Sequence, residues 1–162
     1  MIVAMTGHRA EAFRGNDTTR VYDSIRKGLE ELEPEVVIQG MAHGVDLWSA
    51  RIAFDLGIPY VAVRPYAGHM VPEPYKIDYK KALFHAEEVV VVNPDIDYKV
   101  WYMHMRNEWM VDHATHVFAI WNGAKKGGTY ACLKYAVKQE KPIYRYNVVA
   151  RKREWLNATE VV

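Results

Sequence analysis

Three short segments place glycine and small polar residues where an apolar run gives way to a helical pattern, which presents backbone N–H groups to an anion at a helix start. The first is Thr6-Gly7-His8-Arg9, where Gly7 permits a tight turn and His8 and Arg9 add side-chain donors. An ordinary turn with two solvated side chains is an equal reading of that tetrapeptide. The second runs from Gly40 and Met41 to Gly44 and Asp46; Gly40 admits close backbone approach, and Asp46 either caps the following helix or meets a ligand. The third, Asn122 to Thr129, carries Gly127-Gly128-Thr129 at a helix start and is the most specific of the three as an anion nest.

None of the three is a P-loop, because the Gly-Lys-Thr ending is missing, and none is the dinucleotide fingerprint with its spaced third glycine. ATP hydrolysis and NAD redox chemistry lose support. Arg106-Asn107-Glu108 lies on a helical stretch. Residues two apart diverge on a helix, so Arg106 and Glu108 do not form one tight pair, and one of them faces solvent. Trp121 and Tyr130 flank the third turn. The single cysteine, Cys132, reads as a packing residue, and His113 and His116 straddle a helix end without a ligand spacing. No metal and no cofactor are expected.

These residues need a scaffold, and the rest of the chain describes one. Short β-branched runs at Ile2–Met5, Val36–Gln39, Tyr60–Val63, Val89–Val92, Val117–Trp121 and Ile143–Tyr146 alternate with amphipathic stretches. The helices are expected at 18–32, 45–56, 75–85, 100–113 and 129–139, the first with apolar residues at Val21, Ile25, Leu29 and Leu32 and a stop at Pro34. The pattern predicts one doubly wound, Rossmann-like α/β domain over residues 1–147. It has a mainly parallel sheet of about six strands and helices on both faces; 148–162 forms a tail or edge element. The long segments Gly7–Asn16, Ala67–Pro74 and Asn93–Lys99 all follow strands, on the side where open parallel sheets bind ligands.

Composition sets the limits. Half the residues are hydrophobic and a quarter charged, as in globular chains. With 21 Lys and Arg against 20 Asp and Glu, no global field draws the chain to nucleic acid or an anionic membrane, so any anion must be held locally. One cysteine, no long apolar span and no leader-like N-terminus predict a cytoplasmic protein with no membrane partner.

With these motifs in view, the sequence resembles the SLOG superfamily, the Rossmann-like group that unites the SMF/DprA proteins with the Lonely Guy phosphoribohydrolases. It is most similar to the uncharacterised YpsA-like branch of bacteria and phages. Four marks in order carry the resemblance: Thr-Gly-His-Arg at 6–9, Gly-Met-Ala-x-Gly-x-Asp at 40–46, Arg-Asn-x-x-Met-Val-Asp at 106–112 and Gly-Gly-Thr at 127–129.

The resemblance implies a nucleotide or nucleotide-derivative site across Thr6, Gly7, His8, Arg9, Gly40, Met41, Gly44, Asp46, Arg106, Asn107, Gly127, Gly128 and Thr129, with Trp121 or Tyr130 against the base. As a binder the protein is a sensor or a sequestering module. The alternative is a Lonely Guy-like hydrolase that releases base from a nucleoside 5′-monophosphate. Arg106 matches the arginine of those enzymes, but their glutamate position falls on Cys132, so the acid must be Asp46, Glu108 or Asp112. Single-stranded DNA binding, as in DprA, is the third reading, disfavoured by the near-neutral charge. Relatives of this kind also imply a homo-oligomer, a dimer or tetramer, with Trp101, Tyr102 and Trp109 suited to the interface.

Overall fold

The computed structural model describes all 162 residues. Seven strands form one sheet: β1 (Ile2–Gly7), β2 (Val36–Gln39), β3 (Tyr60–Arg64), β4 (Glu88–Val91), β5 (His116–Trp121), β6 (Ile143–Asn147) and β7 (Lys152–Leu156). Their order is β4-β3-β2-β1-β5-β6-β7, parallel throughout except that β7 runs antiparallel to β6. The five long helices are α1 (Asn16–Leu32), α2 (Val45–Asp55), α3 (Lys76–His85), α4 (Val100–Asp112) and α5 (Gly127–Lys138).

The two faces of the sheet are read from alternate residues of each strand. Val3 and Met5 of β1 and Phe118 and Ile120 of β5 pack with α1, α2 and α3. Ala4, Val117, Ala119 and Trp121 face the other way, onto α4 and α5. α1 contributes Val21, Ile25 and Leu29, each fully buried and worth about 1.5–3 kcal/mol of apolar transfer. It ends at Glu33, in the left-handed region at φ 48°, just before Pro34.

β1 lies at the point where the order of the sheet reverses: β2, β3 and β4 extend from one side of it and β5, β6 and β7 from the other. That reversal opens a crevice beyond the carboxyl ends of β1 and β5. Two details depart from a sheet covered on both faces. Val89 and Val91 of the edge strand β4 are 43% and 41% exposed, because β4 has a neighbour on one side only. After Asn147 the chain returns as β7, and Val161 beyond it is fully buried in the core shared by α4 and α5. No helix is long and apolar enough to cross a membrane.

Candidate functional site

The loops after β1, β2 and β5 are tied together by His8. Its backbone carbonyl accepts the N–H of Val45, at the start of α2, at 3.3 Å. Its Nε2 accepts the N–H of Asn122, after β5, also at 3.3 Å. Burial holds the His8 pKa below its ordinary value, so the ring stays neutral and keeps the lone pair this contact needs. A bridge between Arg9 and Gly44, with Ala10 donating to the His43 carbonyl, completes the joint.

Between these loops and α4 lies a cleft of about 670 Å³. Thr6, Gly7, His8, Arg9, Asp46, Arg106, Asn107, Gly127, Gly128 and Thr129 all line it. The same wall includes Tyr98, Met103, His104 and Lys126, which the motifs did not single out; Tyr98 sits in the 93–99 loop whose position after a strand was the available signal.

Arg106 is the centre of the charge. It is 7% exposed, yet no carboxylate lies within ion-pair distance of it. Nη1 donates to the Gly40 carbonyl at 2.9 Å, while Nε and Nη2 donate to Asn107 Oδ1 at 3.2 and 3.1 Å. A guanidinium has five N–H donors, so one on each terminal nitrogen has no partner. Gly40 is needed for this placement, since a Cβ there would stand 2.8 Å from Arg106 Nε and 3.0 Å from Asp46 Oδ2. Asp46 accepts the Ala42 N–H at 3.2 Å, closing the 40–46 loop. Burial raises the Asp46 pKa, against the opposing pull of Arg106 and of backbone donors.

The helix starts differ in what they leave free. At α2, Val45 donates to the His8 carbonyl and Leu47 to the Ala42 carbonyl, so the second turn is consumed by the protein's own loops. At α5 no side chain caps the first turn, and Gly127 and Gly128 are exposed along the cleft. The first N–H groups of a helix have no partner within it, so those of α5 are left open. A Cβ on Gly128 would meet nothing within 4 Å, which marks the space as open.

Several expected residues stand elsewhere. Met41 is fully buried at φ 65°, its N–H donating to Gln39 Oε1 at 2.7 Å; it shapes the loop and does not line the cleft. Gly40 and Gly44 also lie behind the lining. Trp121 is 2% exposed, donates from Nε1 to the Ala124 carbonyl at 3.0 Å and carries the Arg145 guanidinium over its ring at 4.8 Å. Tyr130 stacks on Trp121, so both aromatics pack beside the third turn, outside the cleft. Glu108 is exposed and lines a separate depression against α5. Asp112 accepts from the Tyr135 hydroxyl at 2.7 Å. Cys132 is 1% exposed, and burial pushes its thiol up to about 11. Of Trp101, Tyr102 and Trp109, Tyr102 is buried and Trp109 stacks on His113 at 3.8 Å, which leaves Trp101, at 53% exposed, as the open surface.

The comparisons with known proteins agree on the architecture. A family model described as DNA recombination-mediator protein A matches residues 1–161. The uncharacterized SPbeta prophage-derived protein YoqJ of Bacillus subtilis is 37% identical over 73 residues, covering 39% of this chain and 42% of that protein. The DNA processing protein A structure of Streptococcus pneumoniae aligns with a TM-score of 0.66 at 19% identity, over 88% of this chain and 49% of that one. That of Helicobacter pylori, described for its single-stranded DNA binding mode, gives 0.67 at 17% identity over 90% and 64%. The molybdenum cofactor carrier protein of Chlamydomonas reinhardtii gives 0.59 at 13% over 89% and 74%. At these identities the structural likeness is one of fold. The chain spans less than two thirds of the YoqJ protein and of both DNA processing proteins.

Proposed function

The chain belongs to the DNA recombination-mediator protein A family, and from that premise we propose that its cleft binds a nucleotide or nucleotide-derived small molecule, as a sensor or sequestering module. One observation carries the reading: the uncapped first turn of α5 and buried Arg106, which keeps two unpartnered N–H groups, line the same cleft. A phosphate group satisfies both, since a helix start favours an anion and a guanidinium matches phosphate oxygens in pairs. Arg9 and Lys126 add positive charge on the same wall, against the single lining carboxylate Asp46. The volume falls within the roughly 300–1,000 Å³ of small-molecule pockets.

A second reading, hydrolysis of the N-glycosidic bond of a nucleoside monophosphate, draws on one further feature. Asp46 is the one lining carboxylate among the three candidate acids, and its raised pKa suits a general acid. Single-stranded DNA is the third. The overall charge of +1 argues against it, but the fold is shared with a protein described for that binding mode, so nucleic acid stays among the ligands to test.

Thermal unfolding with a panel of nucleoside monophosphates, an oligothymidylate and buffer, each mixture then chromatographed for free base, tests all three. Saturable stabilisation by intact nucleotide supports the binder. Free base appearing at turnover replaces it with the enzyme, and salt-sensitive stabilisation by the oligonucleotide alone replaces it with the DNA reading.

A further inference from the structure

Beside the phosphate-facing wall the cleft continues into an annex of about 130 Å³; the two share Arg9, Ala42, Tyr98 and Met103. Beyond that shared wall the annex is lined by Tyr66, His69 and Val71, each less than a tenth exposed, and by His43 and the more exposed Met70. Tyr66, His69 and Val71 come from the segment after β3, and the last two lie in the 67–74 stretch whose position after a strand was the available signal.

The segment is held firmly. Arg64 Nη2 donates to the carbonyls of Ala67 at 2.9 Å and His69 at 3.0 Å. The Ala67 N–H donates to the Asn93 carbonyl at 3.0 Å and the Gly68 N–H to that of Asp95 at 3.3 Å, joining it to the loop that carries Tyr98. Gly68 is required for that contact, because a Cβ would stand 1.9 Å from the Ile96 carbonyl oxygen. Two of the segments that line the annex are therefore locked to each other.

His69 is 6% exposed, and its hydrogen bonds assign its proton. Arg64 Nε donates to the Tyr79 hydroxyl oxygen at 2.9 Å, and that hydroxyl donates to the His69 carbonyl at 3.1 Å. Nδ1 lies 3.0 Å from the same hydroxyl. With the Tyr79 proton given to the His69 carbonyl, Nδ1 is the donor to the hydroxyl oxygen and Nε2 carries a lone pair. Burial, with Arg106 and Arg64 nearby, pushes the His69 pKa down to about 3, so the ring is neutral at pH 7. Nε2 has no partner in the protein and is not fully buried, and His69 lines the annex.

We propose that the annex receives the heterocyclic base of the bound nucleotide and that His69 Nε2 accepts a hydrogen bond from an amino group on that base. The aromatic rings of Tyr66 and Tyr98 and the thioether of Met103 supply the apolar contact a flat ring needs, and the fixed acceptor supplies selectivity. A site built to pair with an N–H discriminates against the analogue that lacks it, because the acceptor is then left unpaired. The inference rests on the nucleotide reading above and adds to it which end of the ligand is recognised, and how.

Calorimetric titration with ribose 5-phosphate and two matched pairs tests it: AMP against purine riboside 5′-monophosphate, and GMP against IMP, each pair differing by one amino group. The expected result is that ribose 5-phosphate binds and that one amino-bearing nucleotide binds about fivefold to tenfold more tightly than its partner. His69→Asn keeps a donor near Tyr79 and removes Nε2; it should reduce that preference to less than about twofold and leave ribose 5-phosphate unchanged. His69→Gln, whose amide reaches the Nε2 position, should restore part of it. If ribose 5-phosphate binds but no amino preference exists, or the preference survives His69→Asn, the base assignment is wrong while the phosphate site stands. If neither ribose 5-phosphate nor any nucleotide binds, both proposals fall.

Discussion

Arg106 lies across Gly40: its Nη1 donates to the Gly40 carbonyl at 2.9 Å, and the space a Cβ would fill at Gly40 is taken by the guanidinium. A residue of α4 that lines the cleft is thereby locked to the end of β2, so its guanidinium is held in one place before a ligand arrives.

Arg106→Ala is expected to weaken nucleoside monophosphates at least about tenfold while changing the corresponding nucleosides less than about twofold, measured by titration calorimetry. Equal losses for both would show that Arg106 does not meet the phosphate. Because the Gly40 carbonyl and Asn107 Oδ1 lose their donor, the variant should also lose about 1–3 kcal/mol of stability in urea unfolding. Arg106→Lys keeps the charge but not the fork and should bind between the two.

The sequence made the scaffold legible because buried parallel strands are nearly unbroken apolar runs, so β1, β2 and β5 and the turns after them stood out. It also marked Arg106 and the Gly127–Thr129 turn, which line the cleft. It did not separate an open helix start from a used one. Whether the N–H groups of α2 are free depends on His8, 37 residues before Val45, reaching back to accept from it, and no local pattern encodes that. Trp121 misled for the same reason: an aromatic beside a glycine turn reads as a stacking surface, but at the end of β5 the pleat turns it inward beneath Arg145. The 67–74 segment stood out by its place after a strand, but His69 within it did not, because its role comes from Tyr79 and Arg64 in two other elements.

Gly128→Val should fold as the parent does, since nothing lies within 4 Å of the added Cβ, yet it should block ligand at the start of α5. Unchanged midpoints of unfolding with nucleotide affinity down by about tenfold or more is the expected pair of results. Retained binding would make this glycine turn structural only.

The returning strand β7 is anchored through Glu31 of α1, which pairs with Arg153 Nη2 at 2.6 Å and accepts from the Tyr144 hydroxyl. The bonds from Arg153 first, and then from Tyr144, hold the Glu31 carboxyl below its ordinary pKa of 4.5. A lowered folded-state pKa contributes stability above about pH 4.5 that is lost as pH falls through the folded value. With Glu31 46% exposed, solvent limits the contribution to less than about 1 kcal/mol. Glu31→Gln should therefore be slightly less stable than the parent at pH 7, with the gap narrowing as the pH is lowered below 4.5. A stability gap that does not change with pH would assign the loss to packing.

A homo-oligomer is the expected form in solution, with Trp101 and its exposed neighbours Val100 and Ile96 as the surface available for contact. Light scattering at micromolar concentration should give a mass that is a multiple of 18.7 kDa, and Trp101→Glu should reduce it. A monomer throughout would remove the interface assigned to α4.

The most direct test of the phosphate site is a backbone amide NMR titration with a nucleoside monophosphate. Saturable shifts are predicted at Gly127, Gly128 and Thr129, whose N–H groups open α5, while Leu47 at α2, already bonded to Ala42, moves little. Shifts absent from the start of α5, or confined to α2, would contradict the account.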